Sequence, residues 1–109
     1  MAEMNAAALV WRNGDGSENQ FVLEAARTSV GRRRDAQVCL SDPLVSHTHA
    51  CIERRGDTYV VRDLGSTNFT RVNDEIVSER ELRDGDEIRF ARTSCTFVGP
   101  RQLSPEKSR

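Results

Sequence analysis

The apolar residues of this chain never gather into a long stretch; they come in short runs that Gly, Asn and Asp interrupt at close intervals. The runs are Ala8 to Trp11, Phe21 to Leu23, Val38 to Leu40, Ala50 to Ile52, Tyr59 to Val61, Ile76 to Val77, Glu87 to Phe90 and Cys95 to Val98. Between them lie turn signals at Asn13-Gly14-Asp15-Gly16, Gly56-Asp57 and Asp84-Gly85-Asp86, where glycine or a short polar side chain accepts positive φ. Short strands joined by tight turns make an all-β sandwich or barrel, and the intervals are too brief for stable helices. Ser78 to Leu82 is the one segment that fits a single helical turn.

At 109 residues the chain has room for one domain. A chain of this size buries roughly 60 to 70% of its unfolded surface, so it folds without disulfides or a structural metal. Its 16 basic residues stand against 17 acidic ones, for a net charge of -1, so no global field steers it toward nucleic acid. Any anion site must be local. All but one of the basic residues are arginine, Lys107 being the exception, and arginine suits two-point contacts with phosphate or carboxylate. The three cysteines, Cys39, Cys51 and Cys95, are widely spaced with no Cys-x-x-Cys pair, which fits a reducing compartment. No run approaches the ~20 apolar residues of a membrane span. The first residues also lack the basic start and apolar stretch of a signal peptide, so a cytoplasmic or nuclear location is expected. The domain is expected over residues 8–99, flanked by flexible tails at 1–7 and 100–109.

Three segments concentrate small and polar residues at turn positions: Gly31-Arg32-Arg33-Arg34, Ser46-His47-Thr48-His49 and Asp63-Leu64-Gly65-Ser66-Thr67-Asn68. Loops of a sandwich cluster at its two ends, so these segments can meet in space. A guanidinium, hydroxyls and a carboxamide brought together suit a dianionic phosphate ester.

The ordered series Gly31-Arg32, Leu44-Val45-Ser46-His47-Thr48-His49-Ala50, Asp63-Leu64-Gly65-Ser66-Thr67-Asn68, Val72-Asn73 and Leu82-Arg83-Asp84-Gly85-Asp86-Glu87-Ile88 resembles a forkhead-associated (FHA) domain. The resemblance runs over nearly the whole chain and implies a two-sheet antiparallel β-sandwich of the FHA/SMAD type, with binding loops at one end. It implies a module that recognises phosphothreonine in partner proteins of Ser/Thr kinase signalling, a mode known for readers of phosphorylated motifs. By the same resemblance Arg32 is the principal cation, and Gly31 lets the backbone turn so that Arg32 faces the pocket. Ser46 donates its hydroxyl to phosphate, His47 adds a main-chain or ring contact, and Thr67 is a second hydroxyl or backbone donor. Asn68 bonds the peptide backbone beside the phosphorylated residue. His49 is architectural, holding Ser46 in place, with Asp63 and Gly65 supporting the loop. Arg33, Arg34, Leu44 and Phe69 are candidates for contacts that set specificity.

The chain departs from the family pattern at three places where glycine is usual: Phe69 after Asn68, Asp74 after Asn73, and Ala91 after Phe90. A bulky residue is strained wherever positive φ is required. Phe69 is what keeps open a second reading, an FHA-fold module that mediates assembly without phosphate. Other chemistries fit less well. Ser46, His49 and Asp63 supply the residue types of a catalytic triad, but no Gly-x-Ser-x-Gly elbow accompanies them, so no enzyme activity is expected. His47, His49 and Cys51 alternate as strand-borne metal ligands could, yet a fourth ligand is missing nearby, and Cys51 is expected to point outward. No metal, cofactor, nucleic acid, membrane or small-molecule substrate is expected.

Overall fold

A computed structural model describes residues 7–100. Eleven strands make up the fold: β1 (Ala8–Arg12), β2 (Glu18–Val22), β3 (Arg27–Gly31), β4 (Val38–Cys39), β5 (Ala50–Arg55), β6 (Thr58–Asp63), β7 (Thr70–Val72), β8 (Glu75–Ile76), β9 (Glu79–Leu82), β10 (Glu87–Phe90) and β11 (Thr93–Val98). They form a six-stranded sheet in the order β2-β1-β11-β10-β7-β8 and a five-stranded sheet in the order β4-β3-β5-β6-β9. All pairings are antiparallel except β3 with β4, where Val30 lies beside Val38 and Gly31 beside Cys39. The described residues include no helix long and apolar enough to cross a membrane.

Alternation along the strands sends one set of side chains inward from each sheet. Leu9, Val72, Ile88, Phe90 and Phe97 from the first sheet meet Val30, Val38, Ala50, Ile52 and Val61 from the second, all nearly or fully buried. Burying a side chain of this size contributes about 1.5 to 3 kcal/mol. Aromatic contacts bridge the two sheets near both ends: Tyr59 against Phe97 at 5.6 Å between centroids, and His49 edge-on to Phe90 at 5.7 Å.

The structure departs from the sequence reading at Ser78 to Leu82 and at Ala7, and adds detail at two cysteines. Ser78 to Leu82 is not a helical turn: residues 79–82 are β9, an edge strand registered on β6 with Tyr59 opposite Leu82 and Arg62 opposite Glu79. Its outer residues are polar because they enter an ion-pair ladder on the open face, in which Glu79 meets both Arg55 and Arg62. Ala7, assigned to the tail, is buried and accepts the Leu23 N–H at 2.7 Å. The rest of the two tail assignments, residues 1–6 and 101–109, lies outside the described residues. Cys51 does point away from the core, in register between Ser29 and Arg62, but it is covered and only 1% exposed. Finally, Cys95 sits in the core, where burial pushes its thiol up to about 12.

Candidate functional site

The loops after β3, β4, β6 and β10 meet at one end of the sandwich, and hydrogen bonds between them fix the candidate residues. Gly31 ends β3, and its role is not the one first expected. Its φ is not positive; what excludes a side chain is that a Cβ there would sit 2.1 Å from the His47 carbonyl oxygen. The close approach lets the Arg32 N–H reach the Ser46 carbonyl at 3.0 Å and the Arg33 N–H reach the His47 carbonyl at 3.3 Å. Arg32 is exposed, and its Nε donates to the Val45 carbonyl at 2.9 Å. That bond sets the direction of the guanidinium. Among the described residues its two terminal nitrogens have no partner.

The loop between β4 and β5 is tied down at both ends. Asp42, which the sequence reading missed, accepts from the Leu44 N–H at 3.0 Å and the Thr93 hydroxyl at 3.1 Å, fastening this loop to the β10–β11 hairpin. The signal was there as Asp-Pro-Leu, an acidic side chain able to bond the amide two residues on. Val45 is buried as a plug, which leaves Leu44 and His47 exposed on either side. His49 is fully buried, with Nδ1 accepting the Ser46 N–H at 3.1 Å and Nε2 donating to the Phe69 carbonyl at 2.9 Å. A backbone donor on one nitrogen and a carbonyl on the other fix the tautomer with the proton on Nε2. One imidazole therefore joins two loops and also packs on Phe90.

The loop between β6 and β7 is folded around Asp63. Its carboxylate accepts from the Gly65 and Ser66 amides at 3.0 Å each, from the Ser66 hydroxyl, and from the Thr70 hydroxyl at 2.7 Å. Burial alone would raise its pKa; the bonds from Ser66, Thr70 and Gly65 outweigh that and hold it below the ordinary value. Gly65 has φ +78 in open space, so its glycine is conformational. Beyond it, the Thr67 N–H donates to Ser46 Oγ at 3.0 Å, and Asn68 Nδ2 donates to the Leu44 carbonyl at 2.8 Å. Both contacts reach back to the neighbouring loop. The hydroxyl proton of Ser46 and the carbonyl oxygen of Asn68 are left for an incoming group, as is the Thr67 hydroxyl. Phe69 stands at φ 70 and is 49% exposed, so its ring is not packed into the core.

The candidate residues thus divide by what they touch. Arg32, Ser46, His47, Thr67 and Asn68 offer accessible polar atoms along one rim, while Gly31, His49, Asp63 and Gly65 hold the loops. Arg33 is paired with Asp35, Nε to Oδ1 at 3.1 Å, and Arg34 is exposed. Ser46, His49 and Asp63 are not arranged as a triad: His49 bonds the Ser46 amide instead of its hydroxyl, and Asp63 bonds Ser66 and Thr70. His49 also spends both ring nitrogens on the loops, so it has none for a metal. A cleft of about 820 Å³, lined by Trp11, Arg12, Leu40, Asp42, Pro43 and Arg92, lies outside the candidate set. Chemistry, not volume, marks the site.

Comparison with known proteins gives a consistent account. The FHA domain profile matches residues 28–91, which include every candidate residue. An oxoglutarate dehydrogenase inhibitor from Corynebacterium jeikeium is 38% identical over 93 residues, 85% of this chain and 65% of that protein's length. A structure from a study of phosphothreonine-dependent FHA domain interactions superposes with a TM-score of 0.76 at 35% identity, covering 85% of this chain and 95% of that one. EmbR from Mycobacterium tuberculosis, in complex with a low-affinity phosphopeptide, gives a TM-score of 0.76 at 36% identity, with 85% of this chain matched to 24% of that chain. Two packed sheets, loops joined at one end and a matching profile over most of the described residues lead to one conclusion: this chain belongs to the FHA domain family.

Proposed function

We propose that the domain binds an extended segment of a partner protein carrying a phosphothreonine made by a Ser/Thr kinase, and that it catalyses nothing itself. The observation that carries this reading is the direction of Arg32: its Nε is held by the carbonyl of Val45, the residue before Ser46, and its terminal nitrogens have no partner among the described residues. A guanidinium oriented before the ligand arrives loses little freedom on binding and can meet two phosphate oxygens at once. Ser46 and Thr67 supply neutral hydroxyl donors. Asn68, already anchored through Nδ2, turns its carbonyl oxygen toward an amide of the bound segment. Phosphothreonine-dependent interactions in an FHA structure similar to this one support the same ligand class.

Calorimetry with a phosphothreonine peptide pool tests the reading. Arg32→Ala is expected to weaken binding by about 2 to 5 kcal/mol, because the substitution removes one partner of a partly desolvated charge pair. Equal binding of phosphorylated and unphosphorylated pools would instead favour an assembly module, with the exposed Phe69 as its contact.

A further inference from the structure

On the outer face of the six-stranded sheet two arginines stand directly opposite each other: Arg89 of β10 is the register partner of Arg71 of β7. Both point away from the core, since their chain neighbours Thr70, Val72, Ile88 and Phe90 are all buried. Like charges opposite each other across an antiparallel pair repel, so the arrangement costs the folded chain unless an anion lies between them. The chain itself supplies one carboxylate here, and it serves Arg89 alone. Glu87 meets Arg89 at 3.5 Å, with the two side chains 43% and 40% exposed, and also accepts the Ser94 hydroxyl. Arg71 has no acidic partner among the described residues. On its other side the register partner of Arg71 in β8 is Ile76, 57% exposed.

We infer that this face docks an unphosphorylated acidic segment of a partner protein, seating one carboxylate between Arg71 and Arg89 and an apolar side chain on Ile76. Adjacent strands lie about 4.8 Å apart, so the midpoint between the two arginines is roughly 7 Å from Ile76 across the sheet. In an extended segment, side chains on one face recur every second residue, about 6.6 Å, so the acidic residue falls two places from the apolar one. Four strand spacings separate β8 from β1, about 19 Å, which gives room for about six residues running across the strands. An anionic lipid surface suits the patch less well, because Glu87 lies within it and Ile76 is its single apolar side chain. The inference stands apart from the phosphothreonine reading, since it uses none of Arg32, Ser46, His47, Thr67 or Asn68.

The test uses the folded domain and fluorescein-labelled, unphosphorylated peptide pools in which one position is fixed as Glu or Gln and the residue two places away as Leu or Ser. Fluorescence anisotropy at low salt should show the pool with Leu and Glu binding about three- to tenfold tighter than the pool with Leu and Gln, and tighter than the pool with Ser and Glu. The difference between Glu and Gln should shrink as salt is added. Arg71→Glu and Arg89→Glu should each remove the preference for Glu, while Arg32→Ala leaves it intact. Arg71→Glu also sets a carboxylate opposite Arg89, so the same variant should raise the midpoint of thermal unfolding, a gain that a misfolded protein would not show. Equal binding of the Glu and Gln pools overturns the inference, as does a preference that survives both charge reversals or disappears with Arg32→Ala. Displacement of the acidic pool by phosphatidylserine vesicles that cosediment with the domain would assign the face to a lipid surface. A dimer in sedimentation velocity that Arg71→Glu dissolves would assign it to a second copy of the chain, and either result also overturns the inference.

Discussion

The two ends of the sandwich turn their chains by different means. At the end away from the site, the turns at Gly56-Asp57, Asn73-Asp74 and Asp84-Gly85 place positive φ on residues that tolerate it: Gly56 at 64, Asn73 at 50, Asp74 at 75 and Gly85 at 93. These turns are stabilised close to home, as when Asp86 accepts the Arg83 N–H at 2.8 Å and Asn73 receives the Glu87 N–H at 3.0 Å from the adjacent strand. At the site end, left-handed conformations fall not only on Gly65 but also on Phe69 and Ala91. The two are bonded to each other, the Ala91 N–H donating to the Phe69 carbonyl at 3.2 Å, and the same carbonyl takes the His49 proton. The far end obeys its local sequence. The site end is held in a less favoured shape by groups distant in sequence, which is how a binding surface can be built before its ligand arrives.

If that contrast is right, removing one long-range tie should cost more than removing any local turn residue. His49→Ala deletes a fully buried ring, two hydrogen bonds and the contact with Phe90, and is expected to cost about 3 to 5 kcal/mol in urea unfolding. Phosphopeptide affinity should fall with it, since Ser46 loses its anchor. A loss below about 1 kcal/mol would show that the loops keep their places without the imidazole. Gly31→Ala comes next, at about 1 to 3 kcal/mol, because the new methyl meets the His47 backbone and the loop must shift. Its counterpart at the far end, Gly85→Ala, has open space and only positive φ to contend with, so it should leave phosphopeptide binding intact.

The same division decides what could be read from the sequence. Turns at Gly56 and Gly85 announced themselves, as did the strands whose apolar residues alternate into the core. Strand β3 did not, because Arg27, Thr28 and Ser29 dilute its pattern; nor did β9, whose Glu79 and Arg80 find charge partners in Arg62 and Glu75 instead of entering the core. Phe69, Asp74 and Ala91 stood out as residues in glycine's usual places, and all three have positive φ. The candidate residues were legible as types and order, but the atoms were not: that Ser46 Oγ accepts from Thr67, or that Asn68 holds Leu44, depends on loops separated by twenty-odd residues. Gly31 shows the limit most clearly. Its identity was visible, but the reason for it, a backbone from another loop, was not.

Asp63 sharpens the contrast through pH. Its four accepted bonds hold a loop from within, and Asp63→Asn, which keeps the size but loses acceptor capacity, is expected to cost about 1 to 3 kcal/mol near neutral pH. The folded pKa lies below the ordinary carboxylate value, so the ionised form is favoured by folding. That contribution is fully present above the unfolded pKa of about 3.9 and is lost as pH falls through the lower folded value. The gap between wild type and variant in urea titrations should therefore be widest near neutrality and narrow at the acid end. A gap that stays constant with pH would assign the loss to geometry alone.

The smallest effects discriminate best, because they change sign. Ala91→Gly removes a methyl from a left-handed residue at φ 58, relieving about 1 to 2 kcal/mol of steric cost. Glycine's greater freedom in the unfolded chain takes back about 0.5 to 1 kcal/mol, leaving a net gain of roughly half to one kcal/mol. Asp74→Gly makes the same exchange at φ 75 in the far-end hairpin, but an aspartate tolerates that region, so its stability should hardly move. A thermal unfolding comparison of the two variants separates the ends directly. Equal gains would mean that both ends carry the same strain, and the long-range ties around His49 would then be stabilising contacts without any strained loop to restrain.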